Sequence, residues 1–340
     1  MAYKNNCLSL EDYERNFRGY GIRDAVVRDR NIFSFILLQD WDCDTPRPFE
    51  EELKTRYVAY FSDEGPLGRW GSDGLYGFKG MMAGASQKPL WQNINIDRLA
   101  QVYVKGSGVT EIENKIPGGG GEGPMRGGVR SLKQINGWLY ASGGARSLCK
   151  RLGRNDWEEI GVLPPEGKGE VGFDDFDGFS EADIYAAGGR GDVWHYDGSA
   201  WRQLPFPSKM WIESVCCGAD GHVYIGAQNG HVFRGRGNGW EHIHEGDLSL
   251  PFKDMVWFGD RIYATNDYGL WEIKDGIVGC SSEPADITIC SGNLSVGDGV
   301  MLLAGHYGAA LHDGNSWVQL FSIAKLENQV NLASGAEASE

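Results

Sequence analysis

Asp183-Ile184-Tyr185-Ala186-Ala187-Gly188 is followed by His222-Val223-Tyr224-Ile225-Gly226 and then by Arg261-Ile262-Tyr263-Ala264-Thr265, so that three tyrosines stand 39 residues apart. A second marker trails each copy, as Gly191-Asp192-Val193-Trp194, Gly230-His231-Val232-Phe233, Gly269-Leu270-Trp271 and Gly308-Ala309-Ala310-Leu311. Its glycines are 39 residues apart three times in succession. A third marker is Gly-x-x-Trp with an aliphatic residue three further on: Gly198, Trp201 and Leu204, then Gly237, Trp240 and Ile243, then Gly314, Trp317 and Leu320. Trp240 lies 39 residues after Trp201 and Trp317 lies 77 after Trp240, so the copy between them, near Asp275-Gly276-Ile277, has lost its Trp. An earlier copy runs from Gly137-Trp138-Leu139-Tyr140 through Leu148 to Trp157-Glu158-Glu159-Ile160. Self-similarity at a fixed period of this length marks a stack of repeats.

Within each copy the apolar residues alternate or form short β-rich runs bounded by Gly, Asn and Asp, which is strand and hairpin chemistry without a helical period. Each copy reads as strands A to D, with B of the Ile-Tyr-Ala type, C of the Val-Trp type and D of the Trp-x-x-Leu type. A four-stranded antiparallel unit of about 40 residues is a propeller blade, and its faces are buried only when neighbours stack on it. The expected fold is therefore all-β, a single β-propeller of seven four-stranded blades, with six and eight as alternatives. Blades are expected at 22–72, 73–120, 128–163, 168–206, 210–246, 249–281 and 284–323. An N-terminal extension (1–21) precedes them and a mobile tail (324–340) follows. Inner strands of the diverged first blades are read at Arg56 to Phe61 and Ala100 to Val104. A strand within 22–38 is expected beside the last blade, because an unpaired sheet edge invites aggregation.

The remaining composition bounds function. The 340 residues carry 32 Lys and Arg against 47 Asp and Glu, a formal charge of −15, and 50 Gly, well above the usual share of about 7%. The acidity disfavours nucleic acid, whose recognition needs clustered Lys and Arg, and favours a basic partner. No apolar run approaches the roughly 20 residues of a spanning helix, so no membrane association is expected. The segment from Met1 to Cys7 lacks the apolar core of a signal peptide, which reads as a cytoplasmic chain. Seven cysteines without C-x-x-C spacing read as free thiols, not as a disulfide or zinc framework.

The pattern I-Y-A-x-x-x-x-G-x-V-W-x-Y-D-G-x-x-W resembles the WD40/YVTN/BNR-like class of bacterial β-propellers, closely over 128–323 and loosely over 22–127. The sialidase-type Asp box, Ser-x-Asp-x-Gly-x-x-Trp, is only echoed. Tyr196-Asp197-Gly198-Ser199-Ala200-Trp201 and His312-Asp313-Gly314-Asn315-Ser316-Trp317 keep Asp-Gly and Trp but lack the Ser. Such repeat families include immunity proteins that block secreted bacterial toxins, and the resemblance implies a function of that kind.

Local motifs supply no competing chemistry. The glycine run Gly118 to Gly121 has no Gly-Lys-Ser/Thr after it, which reads as a loop. Ser147-Leu148-Cys149-Lys150 has the Ser-x-x-Lys spelling but lies on a strand, where residues three apart face opposite sides. His242 and His244 share a strand face and read as a surface pair. Asp174, Asp175 and Asp177 lack the full spacing of a calcium loop. Arg190-Gly191-Asp192 is set by the repeat, and the period of Trp157, Trp201, Trp240 and Trp317 places them as wedges between blades. No catalytic residue, metal ligand or cofactor is expected.

What remains is the surface the fold must present. Loops on a rigid scaffold are free to carry recognition. The B–C turns place Arg190, Asn229, Tyr268 and Tyr307 at equivalent positions, with Asp267 and His306 beside two of them. The D–A connections add Lys168, Phe206, Trp211 and Phe252. Tyr, Trp and Arg dominate binding hot spots. The expectation is a non-enzymatic protein binder, monomeric apart from one cognate partner, acting as an intracellular immunity protein against a basic toxin such as a nuclease. The alternatives are a glycosidase-like or quinoprotein-like enzyme sited in the channel, and an assembly or scaffold factor.

Overall fold

A computed structural model describes residues 3–41, 45, 48–49, 52–119, 123–162 and 171–337. Seven four-stranded antiparallel sheets, each in consecutive strand order, make it a seven-bladed β-propeller. The blades span 20–75, 85–113, 129–159, 175–203, 212–244, 254–280 and 293–322.

One B strand shows why the repeat folds this way. In Asp183–Gly188, Ile184 and Ala186 pack into a cluster with Ile135, Tyr140 and Leu148 of the preceding blade. Tyr185 and Ala187 pack with Val215, Val223 and Ile225 of the following one. Successive strand residues point to opposite faces, so a strand buried on both sides must be apolar throughout. The periodic glycine of the second marker answers a different constraint. Gly191 has φ +74°, and a Cβ there would collide with the backbone carbonyl of Ser208. The B–C turn thus needs a left-handed residue pressed against the D–A connection.

The chain forms two compact units: Met1–Phe78, Asp267–Leu270 and Ser281–Glu340, and Lys79–Asn266 with Trp271–Cys280. In the first, the strand Tyr20–Asp29 pairs in its own blade with Ile32–Gln39 and lies against strands Asn293–Gly297 and Val300–Gly305 of the last blade. Val27 N donates to Ser295 Oγ at 3.0 Å. The backbone N–H groups of Asn6 and Cys7 donate to Gln319 and Leu320 at 3.0 and 2.8 Å, covering the outer edge of the last blade. Trp70 Nε1 donates to the Cys7 carbonyl at 3.2 Å. Behind this segment Trp70 stacks on Tyr60 at 4.4 Å and meets Phe17 and Phe321 at 5.5 and 5.6 Å. Helix α1 (Leu10–Asn16) is capped by Ser9, whose Oγ accepts the Asp12 N–H at 3.1 Å. Of the tail expected at 324–340, residues up to Glu337 belong to helix α2 (Ile323–Glu337), whose Leu326 and Val330, one turn apart, are buried in the same core as α1, while 338–340 lie outside the described residues.

In the second unit the A strands Val129–Ile135, Asp175–Ser180, Ile212–Cys217 and Asp254–Phe258 lie one against the next. Lys133 clasps three of them, its Nζ donating to Asp175 Oδ2 at 2.6 Å and to the Val215 carbonyl at 2.8 Å. Asp175 also accepts from Ser131 Oγ and the Val215 N–H, both at 2.7 Å. Burial opposes the Lys133 charge, but Asp175 and Asp177 outweigh it and hold the ammonium above its ordinary pKa. Two buried ion pairs cross between blades, Arg151 to Glu113 at 2.7 and 2.8 Å and Arg146 to Asp192 at 2.7 and 3.0 Å. Of the repeat tryptophans, Trp157, Trp201 and Trp240 join cores shared with a neighbouring blade. Trp201 packs on Phe173 and Tyr196 with ring centroids 5.4 and 5.2 Å away, and its Nε1 donates to the Ile160 carbonyl of the preceding blade.

Trp201→Ala is expected to destabilise the protein by about 3 kcal/mol in chemical denaturation, as a large truncation between blades. Glu113→Ala leaves Arg151 buried without its partner and is expected to cost about 3–5 kcal/mol, most of it recovered by the double change Glu113→Leu, Arg151→Met.

Candidate functional site

Strand direction alternates in every blade, so the B–C turns and the D–A connections emerge at one end and the A–B and C–D turns at the other. Backbone bonds tie the first two together. Arg190 and Trp211 form an antiparallel bridge, and Ile212 N donates to the Gly189 carbonyl at 3.0 Å. Leu248 N donates to Asn229 O at 3.0 Å, and Ile323 N to Tyr307 O at 2.9 Å. The backbone at this end is pinned while the side chains project from it.

The second unit holds Arg190, Trp211 and Asn229. The Arg190 guanidinium sits 5.8 Å from the centre of the Trp211 ring, and Trp211 is 43% exposed. Trp211 is framed by Gln228, whose N–H donates to its carbonyl at 2.8 Å. Asn229 is exposed in a left-handed conformation, φ +58°. The first unit holds the others. Asp267 is exposed, Tyr268 is 82% exposed, and His306 lies edge-on to Tyr307 at 4.8 Å, both exposed.

One expected contact residue is corrected and a second is partly withdrawn into the core. Phe252 has no exposed surface; it lies against Trp271 at 5.2 Å in a core shared with Met255 and Ile262. Phe206 is half-buried, edge-on to Phe233 and Trp240 at 4.9 and 5.3 Å. Both fill the wedge between adjoining blades, where an aromatic ring removes more area from water than it could in a solvated loop. Lys168 lies outside the described residues, as do Gly120 and Gly121 of the glycine run.

The other motifs have structural employment. Asp197 Oδ1 accepts the N–H groups of Ser199 and Ala200 at 2.9 Å each, and Asp313 Oδ1 those of Asn315 and Ser316 at 2.8 and 2.9 Å. The Asp-Gly of the box echo thus closes the C–D turn, and these bonds pull the Asp197 carboxyl down to about 2. Asp192 of the Arg-Gly-Asp tripeptide is consumed by Arg146, Trp194 and Gln203. Ser147 Oγ donates to the Gly144 carbonyl at 2.9 Å, while Lys150 Nζ reaches Glu181 at 2.5 Å. A register shift between Val232 and Phe233 breaks the face shared by His242 and His244. His242 meets His231 of the B–C turn instead, Nε2 to Nδ1 at 3.0 Å, and stacks on Phe233 at 4.4 Å. Among the described residues no group of three or more His, Cys, Asp or Glu is disposed to hold a metal ion.

Among the described residues, three exposed aromatic residues at the B–C end of the first blade escaped the sequence reading. Trp41 and Phe49 belong to the first blade's B–C loop, residues 40–54, and Tyr76 follows its D strand. The signal was the loop itself: 15 residues there, against three, 189–191, in the fourth blade. Long irregular loops in compact domains are commonly functional.

The comparisons agree with this architecture. No protein-family model matches the chain. It is similar to Immune protein Tsi7 of Pseudomonas aeruginosa, with 28% identity over 278 residues, 79% of this chain and 90% of that protein. Among solved structures, the RRP9 WD40 repeats superpose with a TM-score of 0.58 at 14% identity, covering 88% of this chain and 91% of that one. YCF48 from Cyanidioschyzon merolae gives 0.59 at 10% identity, covering 88% and 97%. Those two likenesses speak for the fold alone: this is a seven-bladed propeller with WD40 structural neighbours. No helix among the described residues is long and apolar enough to cross a membrane.

Burial, and next the charge of His242, hold the His231 pKa below its ordinary 6.5. Unfolding therefore takes up a proton as the pH falls below 6.5, and the stability this group contributes is present above that value and lost through the folded-state pKa. An NMR titration of the imidazoles is expected to place the His231 midpoint below 6.5; a midpoint at or above it contradicts the pairing with His242.

Proposed function

We propose that this chain is a toxin-neutralising immunity protein that works by binding, not by catalysis. One observation carries the reading: 28% identity extending over nine-tenths of Immune protein Tsi7, far more than a shared repeat produces at 10–14%. Fold alone does not set function, so the site must be consistent with it. It is, because the B–C turns of the first unit expose Tyr268 and Tyr307 and the second unit exposes Trp211, the residue types that anchor protein interfaces. The net charge of −15 supports a basic partner, a nuclease domain being one such class, since opposite charge speeds encounter. We place the action in the cytoplasm, on a single cognate toxin, with the protein otherwise monomeric.

The test is retention of partners by the tagged protein, washed at about 0.5 M salt to strip purely electrostatic binders, followed by co-expression. One stoichiometric basic chain is expected, toxic when produced alone and harmless beside this protein. Toxicity that persists on co-expression, or a column that retains nothing, contradicts the reading. Tyr268→Ala and Tyr307→Ala are each expected to weaken the complex about tenfold, the scale of an interface anchor, without lowering the melting temperature.

A further inference from the structure

The charge and the exposed aromatic side chains are not spread evenly through the fold. The first unit carries 22 Asp and Glu against 11 Lys and Arg, which is −11 of the chain's −15 and leaves −4 for the second. The same unit holds Trp41, Phe49 and Tyr76 on the connections of the first blade, and Tyr268 and Tyr307 on B–C turns. All five emerge at the B–C end of their blades. Phe49 is 73% and Tyr76 69% exposed, a poor use of aromatic area unless something covers it. At the same end of the second unit, Trp211 and Leu99 are the large apolar side chains similarly exposed among the described residues.

The loop that carries Trp41 and Phe49 is itself acidic, with six Asp and Glu against two Lys and Arg in residues 40–54. Its described part is shaped by local bonds. Trp41 Nε1 donates to Thr45 Oγ1 at 2.9 Å, and the Phe49 N–H donates to Glu52 Oε2 at 2.9 Å. Each bond fixes one contact beside a ring, and a side chain already ordered costs less to bring into an interface.

We propose that the protein engages its partner through the B–C end of the first unit, with Trp41, Phe49 and Tyr76 joining Tyr268 and Tyr307 as anchors, and that the partner meets it with a face rich in Lys and Arg. The proposal rests on the immunity reading above and narrows it to one surface and one partner chemistry. Aromatic anchors supply slow dissociation and surrounding carboxylates supply rapid encounter, the division of labour that acidic binders of basic proteins need. A basic face also explains why the acidic excess gathers in the unit that exposes the rings, since like charge at an interface would otherwise repel its ligand.

The probe is the basic chain recovered in the retention experiment, purified and titrated against the full-length protein by biolayer interferometry at 0.05, 0.15 and 0.5 M salt. Phe49→Ala and Tyr76→Ala, both at solvated positions, are expected to raise the dissociation rate at least tenfold at every salt concentration with an unchanged melting temperature. The association rate of the unaltered protein is expected to fall at least tenfold from 0.05 to 0.5 M salt. Trp91→Ala, on an exposed A–B turn at the other end of the second blade, is expected to bind as the unaltered protein does. Binding by Phe49→Ala and Tyr76→Ala within twofold of the unaltered protein overturns the proposal, as does a larger loss from Arg190→Ala or Trp211→Ala; either result leaves the immunity reading standing. If no chain is retained at all, that reading falls and this surface falls with it.

Discussion

The structure depends on the burial of each blade's B strand from both sides. Ile184 and Ala186 look back to one neighbour while Tyr185 and Ala187 look forward to the next, so no blade can satisfy its own apolar surface. Repeats joined this way derive their stability from nearest-neighbour interfaces. The outer wedge of Trp201 against Ile160 and the inner clasp of Lys133 on Asp175 and Val215 act at opposite edges of that packing. In the first unit the same role falls to the Phe17, Trp70 and Phe321 cluster, held under the N-terminal segment by backbone bonds to Gln319 and Leu320.

Because the strands and wedges hold the blades, the turns are free to differ. The B–C turns at Gly191 and Gly230 need a left-handed glycine and a backbone bond to the D–A connection; what projects from such a turn does not affect the sheet. This explains how Arg190, Asn229, Tyr268 and Tyr307 occupy equivalent places with unlike side chains. It also separates two uses of aromatic residues that look alike on paper. Trp201 and Phe252 are enclosed by neighbouring blades, whereas Tyr268 and Tyr307 stand on the turns in solvent. The first kind sets stability and the second recognition.

Much of this was legible in the sequence. The 39-residue spacing of Tyr185 and Tyr224 survives because each packs in a core shared with the blade that follows, and Tyr263, the third of the series, is likewise buried. The spacing of Gly191 and Gly230 survives because only glycine fits the turn. Seven four-stranded blades follow from those constraints. Exposure does not follow, because a Phe in a D–A connection reads the same whether it turns inward or outward, and Phe206 and Phe252 turned inward. The insertion at 40–54 interrupts the period of the first blade, which concealed Trp41, Phe49 and Tyr76. Helix α2 was missed because Leu326 and Val330 are a short apolar signal in a polar stretch. The pairing of His242 with His231 depends on a register shift that no spacing announces.

Amide hydrogen exchange of this protein, alone and with its basic partner, tests the central claim most directly, since it reads every turn of the seven blades in one experiment. Slowed exchange is expected at the B–C turns and D–A connections, strongest within 40–54, 76–78, 267–270 and 306–307, with the A–B and C–D turns unchanged. Protection confined to the A–B and C–D turns, or to the strands Val129–Ile135 and Asp175–Ser180 as for a ligand held in a channel, would contradict an immunity protein that binds through its B–C end.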